Sequence, residues 1–349
     1  MSVSRWDAQR PHQKYEGTPP TQRILLVSLD NLGDLVFASA LTPLLRERYP
    51  EATITLWCKQ YTAPIAGLLP GVTRVESADP FWDRAPGRPS GRFIPFAQSV
   101  MRLRREQFEL AILAAAPWRT AAAVAATGAE RRVGLARRKN GRWLTDVLPA
   151  EDVTQPVLAE MGRLLVPLGI TVPAQLRYRL DVGPLADRRE RIRTEVGPRP
   201  VALHPFASKR NRCVSIVQWI RMSIELSNRG YDPLWIGSGE ELWEVRRAGG
   251  SADWQYVDQI GDGTLADSAA ALSLAQLFVG HDSGPLHIAG AFGVPVVGLF
   301  TPGEPARTFP QGVGPSRMLV RPSPDGVTAE DMLAVLDSLP GDRSLKLVR

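Results

Sequence analysis

Three short segments of this chain combine residue types that could handle an anionic leaving group and an acceptor hydroxyl. The first is LDNLGDLVFASAL, residues 29–41. It sets two carboxylates, Asp30 and Asp34, where a strand gives way to a helix. A carboxylate there can cap the helix or accept a proton. Gly33 beside it allows a positive φ or a close backbone approach. The second segment is HPFASKRNRC, residues 204–213. Ser208, Lys209, Arg210 and Arg212 offer a hydroxyl, cations and exposed backbone N–H groups, the three things a diphosphate needs. The third is GHDSGPLHIAGAFGVPVVGLFTP, residues 280–302. Asp282, Ser283 and Gly284 fill the loop after a buried strand, and His287 falls in the first turn of the next helix. Ser283 and the Gly284 N–H would face an anion at that helix N-terminus. Each segment has a plainer reading: a helix cap, a solvated basic turn, a packed histidine. Their combination favours chemistry.

These segments need a scaffold, and the hydrophobic pattern supplies one. Apolar runs at 23–29, 52–58, 71–76 and 110–115 read as buried strands. Leu35, Phe37, Ala38, Leu41, Leu44 and Leu45 recur at helical spacing, and Pro43 is expected to kink that helix. The pattern restarts after residue 180, with strands at 200–204, 232–237, 277–280 and 294–300 and helices at 216–229 and 285–292. A further helical pattern covers 328–339. Strands alternating with helices predict an α/β protein of two doubly wound, Rossmann-like units. Residues 1–20 are polar and read as a disordered arm. Residues 21–180 form the expected amino-terminal domain. Residues 181–349 form the carboxy-terminal domain, with the junction in the Pro-, Arg- and Asp-rich stretch 171–200. Ligands of such sheets bind in the loops at the carboxyl ends of the strands.

The chain has 349 residues, a formal net charge of +6 and two cysteines, Cys58 and Cys213. The cysteines lack metal or disulfide spacing and fit a reducing, cytoplasmic compartment. No apolar run is long enough to span a bilayer. Residues 1–175 carry 22 Lys/Arg against 16 Asp/Glu, so the whole excess lies there. Within 84–142 the count is 13 against 3. Such a segment calls for an anionic partner. Arg84, Arg88, Arg92, Arg137 and Arg138 are expected on the amino-terminal side of the cleft. There they would hold an anionic glycan or glycolipid acceptor, or face an anionic membrane at its inner surface. Nucleic acid is disfavoured, because aromatics are not interleaved with the basic residues. GxGxxG, GxxxxGK[ST] and GxSxG are all absent. No Asp-x-Asp exists to hold a metal on a diphosphate, so no metal cofactor is expected.

The three segments together resemble glycosyltransferase family nine, which includes the heptosyltransferases of lipopolysaccharide core assembly. HDSGPLHIAGAFGVPVVGLFTP carries the most specific part of the likeness, which runs from about residue 22 to 312. It implies a GT-B fold, an inverting and metal-independent transfer, and an ADP-heptose-like donor. By the resemblance, Asp34 is the catalytic base, expected to keep a low pKa beside Arg and a helix N-terminus. Ser208, Lys209 and Arg212 belong to the donor loop. Asp282, Ser283, Gly284 and His287 form the donor block, Thr301 follows the last strand, and Glu240 or Glu241 meets the ribose. Asp30, Asn31 and Gly33 stand on the acceptor side. The chain departs from the family in having Asp30-Asn31 before Gly-Asp and Arg212-Cys213 in the donor loop. Another nucleotide sugar, a non-lipopolysaccharide acceptor, or a non-catalytic nucleotide-sugar binder are the alternatives.

Overall fold

The computed structural model describes residues 22–83, 90–150, 152–207, 209–249, 257–258, 264–302 and 305–339. The expected amino-terminal arm lies outside them. Two six-stranded parallel sheets make the frame. The first holds β1 (Arg23–Ser28), β2 (Thr53–Cys58), β3 (Arg74–Ser77), β4 (Leu110–Leu113), β5 (Arg131–Leu135) and β6 (Asp146–Leu148). The second holds β7 (Pro200–His204), β8 (Asp232–Trp235), β9 (Val257–Asp258), β10 (Leu277–His281), β11 (Val296–Phe300) and β12 (Ser316–Val320). Their orders are β3-β2-β1-β4-β5-β6 and β12-β11-β10-β7-β8-β9. Counted from its own first strand, each sheet has the same doubly wound order. Each therefore has one switch point, between β1 and β4 and between β7 and β10, where neighbouring loops diverge and leave a crevice.

The central strands are apolar on both faces, as strands covered from both sides must be. Alternate residues of one strand serve different cores. Ile24 and Leu26 join a core that also contains Leu35, Phe37, Tyr178, Leu286 and Ile288, drawn from both halves of the chain. Leu25 and Val27 point to a core confined to the first half, with Trp57, Phe96 and Phe108. Val201 and Leu203 point to one confined to the second half, with Trp219, Met222 and Met332. The helical pattern near the carboxyl terminus forms Ala329–Asp337, which packs on Ile216–Asn228.

The proline expected to kink one helix instead separates two, Leu32–Ala38 and Thr42–Arg48. Pro43 occupies the first turn of the second, where its missing N–H has no partner to lose. β5, β6, β9 and β12 were not evident from pattern alone. β6 and β9 are short, and β6 and β12 keep exposed residues.

The halves meet through the helices Leu32–Ala38 and Gly284–Ala291. Tyr178 is fully buried at this junction. Its Oη lies 3.0 Å from His287 Nδ1 and accepts the Gln311 N–H at 3.1 Å. Nearby, the Arg179 N–H donates to Ser39 Oγ at 3.1 Å, and the Asp181 N–H to the Leu68 carbonyl at 2.8 Å. Removing the Tyr178 hydroxyl would leave the buried His287 Nδ1 and the half-buried Gln311 N–H, both of the second half, without this partner, at about 1–3 kcal/mol. Tyr178→Phe should therefore lower the melting temperature by several degrees. A melting curve that overlays wild type would show that the hydroxyl contributes nothing.

Candidate active site

Asp34 lies in the first turn of the helix Leu32–Ala38, but its local role differs from the simple cap. The residue starting the helix Leu32–Ala38 is Asn31; Asp34 is the third residue in and accepts the Asn31 N–H at 3.2 Å. This is the reciprocal half of a capping box. Gly33 does not serve a positive φ. A methyl group built on it would lie 3.4 Å from His287 Cδ2. That is ordinary van der Waals distance, so the two halves meet here without requiring glycine.

The expectation of a low pKa at Asp34 is overturned. Burial, and then the neighbouring Asp30 carboxylate, push it up to about 6. The Asn31 N–H and the cations Lys59 and Arg137 pull the other way and lose. Burial also raises Asp30, against Lys59 and Arg137. The two carboxylates are close enough that ionising one hinders the other.

Two cations in this cluster were not anticipated. Lys59, at the end of β2, is 4% exposed and pairs with Asp83 at 2.6 Å. A lysine so buried keeps its charge only with carboxylates around it. Arg307 belongs to the second half, in the helix Pro305–Thr308, yet donates to the carbonyl of Gln155 at 3.1 Å. It lies in the field of both Arg137 and Asp34. Asn140 is a third missed residue. It is fully buried, its amide reaches the carbonyls of Ala116 and Leu135, and its Oδ1 accepts the Arg137 N–H. That staple fixes the turn carrying Arg137 and Arg138. Nothing local in the sequence flags these three residues, because each acts on a segment distant in the chain.

The basic segment is not one patch. Arg102 pairs with Glu76, and Arg131 with Asp146. Arg104 and Arg132 bind backbone carbonyls. Those cations serve the fold. Arg92, Arg137 and Arg138 have exposed side chains. Arg84 and Arg88 lie outside the described residues.

On the second half, the loops after β7 and β10 flank its switch point. The Arg212 side chain has no hydrogen bond or ion pair among the described residues, and Lys209 is exposed. Arg210, in contrast, pairs with Glu244. Thr301 is buried and donates to the Arg212 carbonyl at 2.7 Å, so it shapes the loop from behind. Ser208 lies outside the described residues. Ser283 begins the helix Gly284–Ala291, and its hydroxyl donates to the His281 carbonyl at 3.0 Å. Gly284 packs under Leu32; a methyl built on it would fall 2.7 Å from Leu32 Cδ2. His287 is 3% exposed, with its ring edge-on to Phe37 at 4.6 Å and Nε2 3.6 Å from Asp282 Oδ1. It reaches the cleft through Asp282, which also accepts Thr308 Oγ1 at 3.0 Å. Glu241 is occupied by the Ser238 N–H and hydroxyl at 2.6 and 2.9 Å. The Glu240 side chain lies outside the described residues. Among the described residues, no group of three His, Cys, Asp or Glu side chains could hold a metal ion.

Asp34, a partly buried carboxylate with a raised pKa, lies in the field of cations from both halves, and the loop after β7 carries an arginine with no side-chain partner among the described residues. With that geometry in place, relatives become informative. The family model for glycosyltransferase family 9 (heptosyltransferase) matches residues 97–323. The chain belongs to that family. It is a glycosyltransferase. It is 25% identical over 281 residues to lipopolysaccharide heptosyltransferase 3 of Escherichia coli, covering 77% of this chain and 80% of the relative. Among solved structures, a family 9 glycosyltransferase from Veillonella parvula superposes with a TM-score of 0.78 at 16% identity, over 90% of this chain and 96% of that one. E. coli ADP-heptose lps heptosyltransferase II gives 0.75 at 19%, over 90% and 98%. These likenesses show the fold, GT-B.

If Asp34 is the proton acceptor, only its ionised form works. The transfer rate should then fall as pH drops through about 6, roughly tenfold per unit below it. Replacing Asp30 with Asn removes the like charge, so the midpoint should move to lower pH. A pH–rate profile of both proteins checks this. A flat profile from pH 5 to 8 in wild type excludes Asp34 as the titrating base.

Proposed function

We propose that this family 9 enzyme moves a heptose from ADP-heptose to a hydroxyl of a lipopolysaccharide core acceptor, with inversion and without a metal. The observation carrying the reading is the placement of Asp34 in a field shared by Arg137 from its own half and Arg307 from the other. A base with a pKa near the working pH combines a useful ionised fraction with real proton affinity. Asp34 takes the proton of the acceptor hydroxyl as that oxygen bonds to the anomeric carbon. The bond from that carbon to the diphosphate breaks on the opposite face, and ADP leaves.

The charge growing on the diphosphate is met by Arg212, Lys209, Ser208 and the start of the helix Gly284–Ala291. Donors already in place cost no reorganisation as the bond breaks. Asp282 and Ser283 line the donor side, His287 and Thr301 hold its loops in shape, and Glu240 takes the ribose. The engagement of Glu241 Oε2 by Ser238 favours Glu240 for that contact. Cations supply the neutralisation that a metal gives other diphosphate sites, in keeping with the missing Asp-x-Asp. The exposed Phe93 and Ile94 beside Arg92 give the first half a face suited to an anionic membrane surface. No helix among the described residues is long and apolar enough to cross a membrane.

ADP and ADP-heptose should stabilise the protein more than UDP or GDP sugars in a thermal-shift panel. A ligand at about 100 times its dissociation constant adds about 2.7 kcal/mol. A UDP sugar that stabilises as well as ADP-heptose would remove the donor assignment. Transfer should survive EDTA; loss with EDTA and rescue by Mg²⁺ or Mn²⁺ would remove the metal-independent mechanism. Asp34→Asn should cut turnover by about 10²–10⁴-fold, because Asn keeps an acceptor for the Asn31 N–H but takes no proton at neutral pH. Turnover within a few-fold of wild type would move the base to Asp30.

A further inference from the structure

We infer that the pocket beside Asp30 is a subsite for one uncharged sugar ring of the acceptor, with Trp118 as its platform. The inference rests on the glycosyltransferase reading and names what that site receives. The pocket is about 270 Å³ and is lined by Asp30, Trp82, Asp83, Trp118 and Arg119, among others. It opens where the loops after β1 and β4 part, the switch point of the first sheet. Pockets for drug-sized ligands run about 300–1,000 Å³, so this one suits a single ring and not an oligosaccharide.

Its chemistry fits a polyol. Asp30 and Asp83 are offset by Arg119 and by Lys59, which lies behind Asp83. The signs cancel, and carboxylates in the wall oppose a phosphate or carboxylate entering the same space. Those carboxylate oxygens accept hydrogen bonds from sugar hydroxyls. Trp82 is held edge-on by Phe81 at 4.8 Å and Phe96 at 4.9 Å, so it forms a fixed wall. Trp118 is 42% exposed, the cost of leaving an indole in water unless a ligand covers it. Arg119 lies over its ring at 5.3 Å and restrains it. The C–H face of a pyranose matches the electron-rich face of such a ring. The exposed arginines 137 and 138 lie outside this pocket's lining. Anionic groups of the acceptor go to that surface, and the reacting sugar goes to the tryptophan.

The test uses a methyl heptopyranoside and its phosphate monoester as probes, with binding read by ligand-observed NMR and quenching of tryptophan fluorescence. The neutral glycoside should bind wild type in the millimolar range. Trp118→Ala should weaken it at least tenfold, Trp118→Phe should recover part of the loss, and ADP should stabilise both variants as it does wild type. Tighter binding of the phosphate ester, no binding of the glycoside to wild type, or wild-type glycoside binding by Trp118→Ala would overturn the inference. If ADP and ADP-heptose fail to stabilise wild type while glycoside binding still depends on Trp118, the transferase mechanism falls and the sugar pocket stands.

Discussion

The close crossing of Leu32–Ala38 and Gly284–Ala291 is the contact on which the site depends. Each helix follows a central strand of its own sheet, and each begins with the residues that face the cleft. They meet closely because Gly284 lacks a side chain where Leu32 approaches, with Gly33 in van der Waals contact with His287. A methyl at Gly284 would overlap Leu32 from Cβ to Cδ2. Relief would need a side-chain shift or a wider spacing of the two helices. Wider spacing would draw Asp34 away from Asp282 and Ser283 together. The spacing of Asp34 from Asp282 and Ser283 is therefore built into a packed apolar core, not left to flexible loops.

Within that frame the charges are in deliberate conflict. Asp30 and Asp34 share a partly buried turn, and each makes ionisation of the other harder. Lys59 and Arg137 oppose the effect without cancelling it at Asp34. Complete neutralisation would give a carboxylate too weakly basic to hold a proton near neutral pH; absence of the cations would leave it protonated there. An arginine and a buried lysine, brought from the ends of β5 and β2, tune the group between those limits.

The sheet frame was readable because apolar runs bounded by loop residues encode buried parallel strands directly. Strands with wet faces, such as β12, carry no such signal. Asp34 was legible as a carboxylate at the first strand-to-helix turn, with its role as base given only by the family resemblance, and its pKa was not legible at all. That depends on burial and on Asp30, Lys59 and Arg137 meeting in space. The arginine-rich segment misled for the same reason. Composition counts Arg102 and Arg131 like Arg138, whereas the fold spends the first two on Glu76 and Asp146. Arg307, Asn140 and Tyr178 were invisible for want of any local pattern; Arg307 and Tyr178 work through partners far along the chain, and Asn140 ties its own turn to the Ala116 carbonyl.

Arg307 gives this arrangement a further consequence. It is carried by the loop beyond β11, anchored on carbonyls of Asp152 and Gln155, and lies in the field of Asp34. Coulombic interaction is reciprocal, so its charge favours the ionised base whenever the two halves are in contact. Separating them would remove that cation while exposing Asp34 to water, and these two changes act on its pKa in opposite directions. Losing the cation raises it; rehydration lowers it. Burial is the first cause of the raised pKa at Asp34. The contact between the halves therefore acts on this carboxylate in two ways, through the water it excludes and through the cation it brings near.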